Sequence, residues 1–316
     1  MSSFAIILVS IIGLFWAANH LVLGAAGLAR SYRVSYFIIG LTIVAIGTSM
    51  PEIMVGITSA MEGKNDLALS NAVGSNIANI GLSLGVLVLI RPLTIRSVLL
   101  RQEYPLLLLV MLFTYLLMLD GYLSTVDGCL LLLAAMALIG YFIVMARKTS
   151  RDAYSKEFRQ LLTPRTMKAN ILSLALGLIV LPISAHFLVN SAVQLASWLG
   201  VSEVIIGLTI VAIGTSLPQL ATSLVAIQKG QDDIAIGNIL GSNMYNLLIV
   251  MGFPGIINPS GINQAILWRD IPIMFLLTIV LIAINYHKNR TARWHGVIML
   301  LIYCCYILSL ILNAVD

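Results

Sequence analysis

One acid in this chain stands where an acid is costly. Glu52 closes the segment Gly47-Thr48-Ser49-Met50-Pro51-Glu52 in the middle of a long apolar run. An ionisable group at the centre of a hydrocarbon layer costs at least ~2.5–3.5 kcal/mol, and chains keep one chiefly where it lines a pathway. Its surroundings suit a hard cation. Thr48 and Ser49 supply hydroxyls on the adjacent turn. Pro51 has no N–H, and its ring presses on the carbonyl four residues back, that of Gly47. Carbonyls near such a kink leave the helix ladder and in a membrane need another partner. Further along, Gly74-Ser75-Asn76-Ile77-Ala78-Asn79 places Ser75 and Asn79 four apart, on one helix face. Every donor in the set is oxygen, with no thiolate or imidazole, which favours Na⁺ or Ca²⁺ over Zn²⁺ or Cu⁺.

The set occurs twice. Twelve identical residues, I-I-G-L-T-I-V-A-I-G-T-S, begin at Ile38 and again at Ile205, an offset of 167. At that offset Gly214-Thr215-Ser216-Leu217-Pro218-Gln219 matches the first motif and Gly241-Ser242-Asn243-Met244-Tyr245-Asn246 the second. Pro218 repeats the kink against Gly214, and Ser242 and Asn246 repeat the shared face. The acid alone is not repeated, since Gln219 stands opposite Glu52. A lone small polar residue in a membrane helix serves helix packing. A whole set repeated around the one mid-span acid points to an ion site instead.

The elements that position these residues follow from composition. Hydrophobic residues make up 59% of the 316 and charged residues 10%, against about 25% charged in a soluble domain. Mean hydropathy is +1.00. The chain is therefore expected in a lipid bilayer, and its continuous apolar runs favour helices over the short alternating strands of a barrel. Ten helices fit, at about 3–28, 36–61, 67–90, 102–119, 124–146, 169–196, 202–227, 233–257, 268–286 and 294–313. With the N-terminus outside, sixteen Lys and Arg fall in inner loops and only Lys64 and Arg269 in outer ones, as the positive-inside rule requires. Five helices per repeat is an odd number, so the second copy enters from the opposite side. This is the inverted-repeat plan of many secondary transporters, with the site near the midplane. The reading divides the chain into a first repeat at 1–146, a cytoplasmic linker at 147–167 and a second repeat at 168–316, both termini lying outside a plasma membrane.

The remaining chemistry-bearing residues read more plainly. All acids but Glu52 fall in loops or near helix ends, Glu103 being placed within reach of the interface or Arg101. Cys129, Cys304 and Cys305 are expected as buried small residues, not a disulfide or zinc framework. His20 and His186 are expected to be packed or hydrogen-bonded, and the glycines, Gly74 among them, to serve helix packing. Tyrosines and tryptophans read mostly as interfacial anchors. The net charge of +5 is a matter of loop distribution and not a nucleic-acid signal.

The paired motifs, G-T-S-M-P-E at 47–52 with G-S-N-I-A-N at 74–79 and G-T-S-L-P-Q at 214–219 with G-S-N-M-Y-N at 241–246, resemble the two alpha-repeats of the sodium/calcium exchanger family, within the calcium/cation antiporter superfamily. The layout is similar to its prokaryotic members throughout. That resemblance implies four ion sites in a diamond between the second, third, seventh and eighth helices. The implied ligands are the carbonyls of Ala45 and Ala212, with Thr48, Ser49, Glu52, Ser75 and Asn79 from one repeat and Thr215, Ser216, Gln219, Ser242 and Asn246 from the other. It also implies that the first and sixth helices slide across the rest to switch access. The family usually carries an acid at both central positions, and many members have Asp where Asn246 stands. Here one carboxylate supplies one negative charge, which one Na⁺ or one proton balances and Ca²⁺ does not.

The expected function is cation antiport by alternating access, Na⁺/Ca²⁺ exchange first and Na⁺/H⁺ or other cation/H⁺ exchange as the alternative. No cofactor is called for. A channel would show flux without counter-ion dependence. An intramembrane enzyme has no H-E-x-x-H or G-x-G-D motif to stand on. The number of copies is left open, a single copy included.

Overall fold

A computed structural model describes residues 2–93, 100–149, 166–199, 212–287 and 291–315. Within them the chain is almost wholly helical: α1 (Ser2–Tyr32), α2 (Tyr36–Thr48 and Met50–Met61, bent by 44° between the pieces), α3 (Asn65–Ile90), α4 (Leu100–Leu117) and α5 (Thr125–Thr149). There follow α6 (Met167–Trp198), α7 (Ala212–Thr215 and Leu217–Gln228), α8 (Asp232–Ile257), α9 (Ile266–Asp270 and Ile271–His287) and α10 (Arg293–Val315). Seven of these are long and apolar enough to cross a membrane, and the bent α2 pair makes up to eight. Each described helix end lies within four residues of its expected place. Most of the expected linker (150–165) and the opening of the seventh helix (202–211) lie outside the described residues.

The helices form a buried inner group and an outer rim. α8 is 94% buried over its apolar window and α3 72%, against 22% for α5 and 28% for α10. Close approach makes the inner group possible. A Cβ on Gly237 would stand 2.5 Å from the Phe37 carbonyl oxygen, and one on Gly241 2.5 Å from that of Leu41. Only glycine lets the backbones of α2 and α8 meet like this.

The two halves repeat each other's geometry at the sequence offset. The α2–α3 and α7–α8 turns each use a glycine at positive φ, Gly63 at 74° and Gly230 at 72°. Asn65 Nδ2 donates to the Asn258 carbonyl at one end of the molecule, and at the other Arg91 pairs with Asp232, the same two positions shifted by 167. In the α2–α3 turn Lys64 donates to Glu62 (2.8 Å) and holds that carboxyl below its ordinary range. Both groups are exposed, so the pair adds little stability.

Several expectations are corrected. A two-residue antiparallel pair, β1 (Tyr122–Leu123) with β2 (Ser260–Gly261), ties the α4–α5 turn to the α8–α9 loop in a fold expected to be purely helical. The three cysteines are exposed on the outer faces of their helices, where an apolar side chain is as well placed as in a core. A Cβ on Gly74 would meet nothing within 4 Å, so packing does not account for that glycine. Tyr245 is fully buried in α8 and Tyr303 and Tyr306 are buried in α10, so these three are core residues. Glu103, expected near a helix end, is also fully buried, and neither of its oxygens has a hydrogen-bond partner among the described residues; the Arg101 side chain lies outside them.

Candidate cation site

The centre of the molecule is built on two matching helix breaks. α2 stops at Ser49 (φ −85°, ψ 2°) and α7 at Ser216 (φ −86°, ψ −1°), and each restarts with proline in the first turn. There the missing N–H is one the new helix does not need, so proline ends one piece and opens the next. The break frees the Thr48 carbonyl, and Gln219 Nε2 donates to it at 3.0 Å. The same nitrogen donates to Glu52 Oε1 at 2.7 Å. One amide therefore joins the two breaks and holds the mid-span acid, with Glu52 and Gln219 both fully buried.

α3 and α8 complete the centre, each through a wide-turn π segment that begins at the asparagine of its second motif, Asn79–Leu84 and Asn246–Val250. Such segments recur at functional sites because they re-aim side chains. Asn79 Nδ2 donates to Asn243 Oδ1 and Asn246 Nδ2 to Asn76 Oδ1, both at 3.0 Å. Thr48 Oγ1 donates to Asn238 Oδ1 at 2.8 Å and lies 3.4 Å from Ser242 Oγ, which itself lies 3.4 Å from the Ala45 carbonyl oxygen. α2, α3, α7 and α8 are thus tied together by bonds that each include an expected residue.

Buried polar atoms are normally hydrogen-bonded. At this centre seven buried oxygens have no hydrogen-bond partner among the described residues: Ser49 Oγ, Glu52 Oε2, Ser75 Oγ, Asn79 Oδ1, Ser216 Oγ, Gln219 Oε1 and Asn246 Oδ1. These seven belong to residues singled out by motif; other unpartnered buried polar atoms, among them Ser83 Oγ of α3 and Thr222 Oγ1 of α7, lie outside that set. Thr48, Ser242 and Ala45 are buried beside them; Thr215 is part-buried, and Ala212 opens the described part of α7. A nest of oxygens carrying one carboxylate fits the demands of a hard cation. A cavity of about 490 Å³, lined by Pro51 and Met54 of α2, Pro182 and His186 of α6 and Thr215 of α7, reaches the two breaks.

Sequence reasoning missed three buried asparagines, Asn76, Asn238 and Asn243, that contact the site residues. The repetition of Asn76 as Asn243 inside the motif was the available signal. It also missed a pair of buried acids. Glu103 precedes Pro105 by two and Asp270 precedes Pro272 by two, again at offset 167. Asp270 is held by Arg269 (2.7 and 3.2 Å). Neither oxygen of Glu103 has a hydrogen-bond partner among the described residues. His20 and His186 are as expected, each bonded four residues along its own helix, to the Trp16 carbonyl and to Asn190.

Comparison with known proteins places this geometry. The family described as sodium/calcium exchanger protein matches residues 2–147 and again 169–312. The chain is 41% identical over 306 residues to the putative antiporter CaxA of Alkalimonas amylolytica, covering 95% of this chain and 96% of that protein. It is 37% identical to the inner membrane protein YrbG of Escherichia coli K12, covering 93% and 92%. With the sodium/calcium exchanger MaX1 of Methanosarcina acetivorans it shares 27% identity, covering 98% of each chain. Among solved structures, the sodium-calcium exchanger NCX_Mj soaked with Na⁺ and Ca²⁺ superposes with a TM-score of 0.85 at 27% identity, covering 98% of each chain.

Proposed function

The chain belongs to the sodium/calcium exchanger protein family, a family of secondary transporters and not enzymes, and we propose that it is a cation antiporter working by alternating access around Glu52. The observation that carries this reading is the cluster of buried, unpartnered oxygens on α2, α3, α7 and α8. We assign the ligand role to Ala45, Thr48, Ser49, Glu52, Ser75 and Asn79 with Ala212, Thr215, Ser216, Gln219, Ser242 and Asn246. Na⁺ is one exchanged ion and Ca²⁺ the other, as the names of MaX1 and NCX_Mj suggest.

The architecture we propose is ten spans in two inverted repeats, 1–146 and 168–316, joined by a cytoplasmic linker at 147–167. Its support is the sorting of the loop contacts. Asn65 meets Ser260 (2.8 Å), Asp66 meets Asn263 (3.2 Å) and Gly121 meets Ile262 (2.8 Å), all at turns the inverted plan puts outside. Arg91 pairs with Asp232, and the Leu93 N–H donates to Thr291 (2.7 Å), all at turns the plan puts inside. Among the described residues the two sets do not mix. Charge then sets the direction, with N- and C-termini outside a multi-pass plasma membrane. Access switches as α1 and α6 move across the core; α1 turns the small residues Ala17, Ala18 and Ala25 inward and α6 Gly177 and Ser184, all buried.

One feature favours a second reading, exchange of Na⁺ or another cation for H⁺. With Gln219 opposite Glu52, the assigned ligands carry a single negative charge. A Na⁺ or a proton balances that charge, whereas Ca²⁺ leaves an excess positive charge in a low-dielectric site. Uptake of radiolabelled Ca²⁺ and Na⁺ into vesicles holding the purified chain separates the readings. Ca²⁺ uptake driven by a Na⁺ gradient supports the first, Na⁺ uptake driven by a pH gradient the second. Flux indifferent to any counter-ion contradicts both.

A further inference from the structure

The assigned ligands do not carry oxygens alone. Asn79, Asn246 and Gln219 have amide N–H groups and Thr48, like the other serine and threonine ligands, has an O–H; any of these repels a cation if it turns inward. The structure shows where the three amide nitrogens and the Thr48 hydroxyl make their hydrogen bonds. Gln219 spends Nε2 on the Thr48 carbonyl and Glu52. The other three are taken by asparagines outside the ligand set: Asn246 Nδ2 by Asn76 Oδ1 (3.0 Å), Asn79 Nδ2 by Asn243 Oδ1 (3.0 Å) and Thr48 Oγ1 by Asn238 Oδ1 (2.8 Å).

The direction of two of these bonds is fixed by what lies behind them. Asn76 Nδ2 donates to the Asn243 carbonyl at 3.0 Å. A backbone carbonyl only accepts, so Asn76 must present Oδ1 to Asn246. Asn246 must then answer with its nitrogen, which leaves its own Oδ1 facing away from Asn76 and without a protein partner. Behind Asn238, Nδ2 donates to Ser223 Oγ (3.0 Å) and the Gln219 carbonyl (3.4 Å), which leaves Oδ1 for Thr48.

We propose that Asn76, Asn238 and Asn243 are positioning residues: they draw the donors of Asn246, Thr48 and Asn79 outward so that these three residues turn their oxygens to the bound cation. The inference rests on the cation-site reading of Asn79 and Asn246. Its particular consequence concerns amides. A neutral asparagine is a cation ligand only while something holds its nitrogen away, whereas an aspartate at the same place has two oxygens and needs no such hold. Asn76 is therefore required when position 246 is Asn and dispensable when it is Asp.

The test is Na⁺ affinity, measured by calorimetry on the full chain in lipid nanodiscs. Asn246→Ala and Asn76→Ala are each expected to weaken binding about ten- to a hundredfold, the usual effect of removing a ligand or its outer partner. In an Asn246→Asp background, Asn76→Ala is expected to change affinity less than about threefold, since the coupling between the two positions is gone. A purely structural asparagine would cost the same in both backgrounds, and that result overturns the proposal. So does an Asn76→Ala chain that binds normally while Asn246→Ala does not. If Asn246→Ala itself binds Na⁺ normally, the ligand assignment fails first and the proposal falls with it. Asn243→Ala with Asn79→Asp repeats the cycle at the other end, so a single variant that does not fold leaves the test intact.

Discussion

Glu52 and Gln219 face each other across the centre of the molecule, 2.7 Å from oxygen to nitrogen, and their difference decides the charge of the site. Glu52→Gln removes the only carboxylate among the assigned ligands and is expected to abolish Na⁺ and Ca²⁺ binding in the calorimetric assay. Gln219→Glu adds a second. Unit charges a few ångströms apart interact by about 4 kcal/mol at an effective dielectric near 20, so the variant is expected to bind Ca²⁺ at least about tenfold more tightly. Unchanged Ca²⁺ affinity would mean that charge does not limit the site. Glu52 was legible in the sequence because it is an acid deep in an apolar run. Glu103 was not, because hydropathy placed it beside a helix start, and only the packing of the folded chain shows that the position is fully buried. The three positioning asparagines were hidden for a related reason: a sequence gives the residue but not the direction of an amide.

The paired elements turn matching residues into matching geometry. Proline places both breaks, the glycines of α8 let α2 come close enough for Thr48 to reach Asn238, and the π segments turn Asn79 and Asn246. Gly241→Val is expected to force α2 and α8 apart, since even a Cβ there would stand 2.5 Å from the Leu41 oxygen and 2.6 Å from the Ala45 Cβ. The cost should be about 1–3 kcal/mol of stability, as for other overpacked cores, with loss of Na⁺ binding; thermal unfolding and calorimetry read the two effects. Arg269→Gln should leave Asp270 nearly as bare as Glu103 and lower the melting temperature, and Asp270→Asn should relieve much of that loss. Equal losses with and without Asp270→Asn would show that Arg269 acts by something other than the ion pair. Helix positions were legible because apolar runs of span length leave few alternatives. The β1–β2 pair was not, since two residues of strand have no period to read, and the exposed cysteines were misplaced because lipid and core accept the same side chains.

At the scale of the whole molecule, the offset of 167 links a sequence identity to a symmetry of contacts. The Asn65–Asn258 contact at one end and the Arg91–Asp232 pair at the other join the same two positions shifted by 167, as the inverted plan proposed above requires. Sidedness follows as a prediction. A cysteine replacing Lys64 should react with a membrane-impermeant maleimide from outside the cell, and one replacing Lys229 only after the inner face is opened. Labelling of both from one side would contradict the inverted plan. The most direct test of the central claim, that a transported cation passes through the oxygens around Glu52, is Ca²⁺ uptake into vesicles under an outward Na⁺ gradient, or Na⁺ uptake under a pH gradient, run side by side for the native chain and Glu52→Gln. Gradient-driven uptake by the native chain and none by the variant is the expected result. Equal uptake by the two would place the transport route elsewhere.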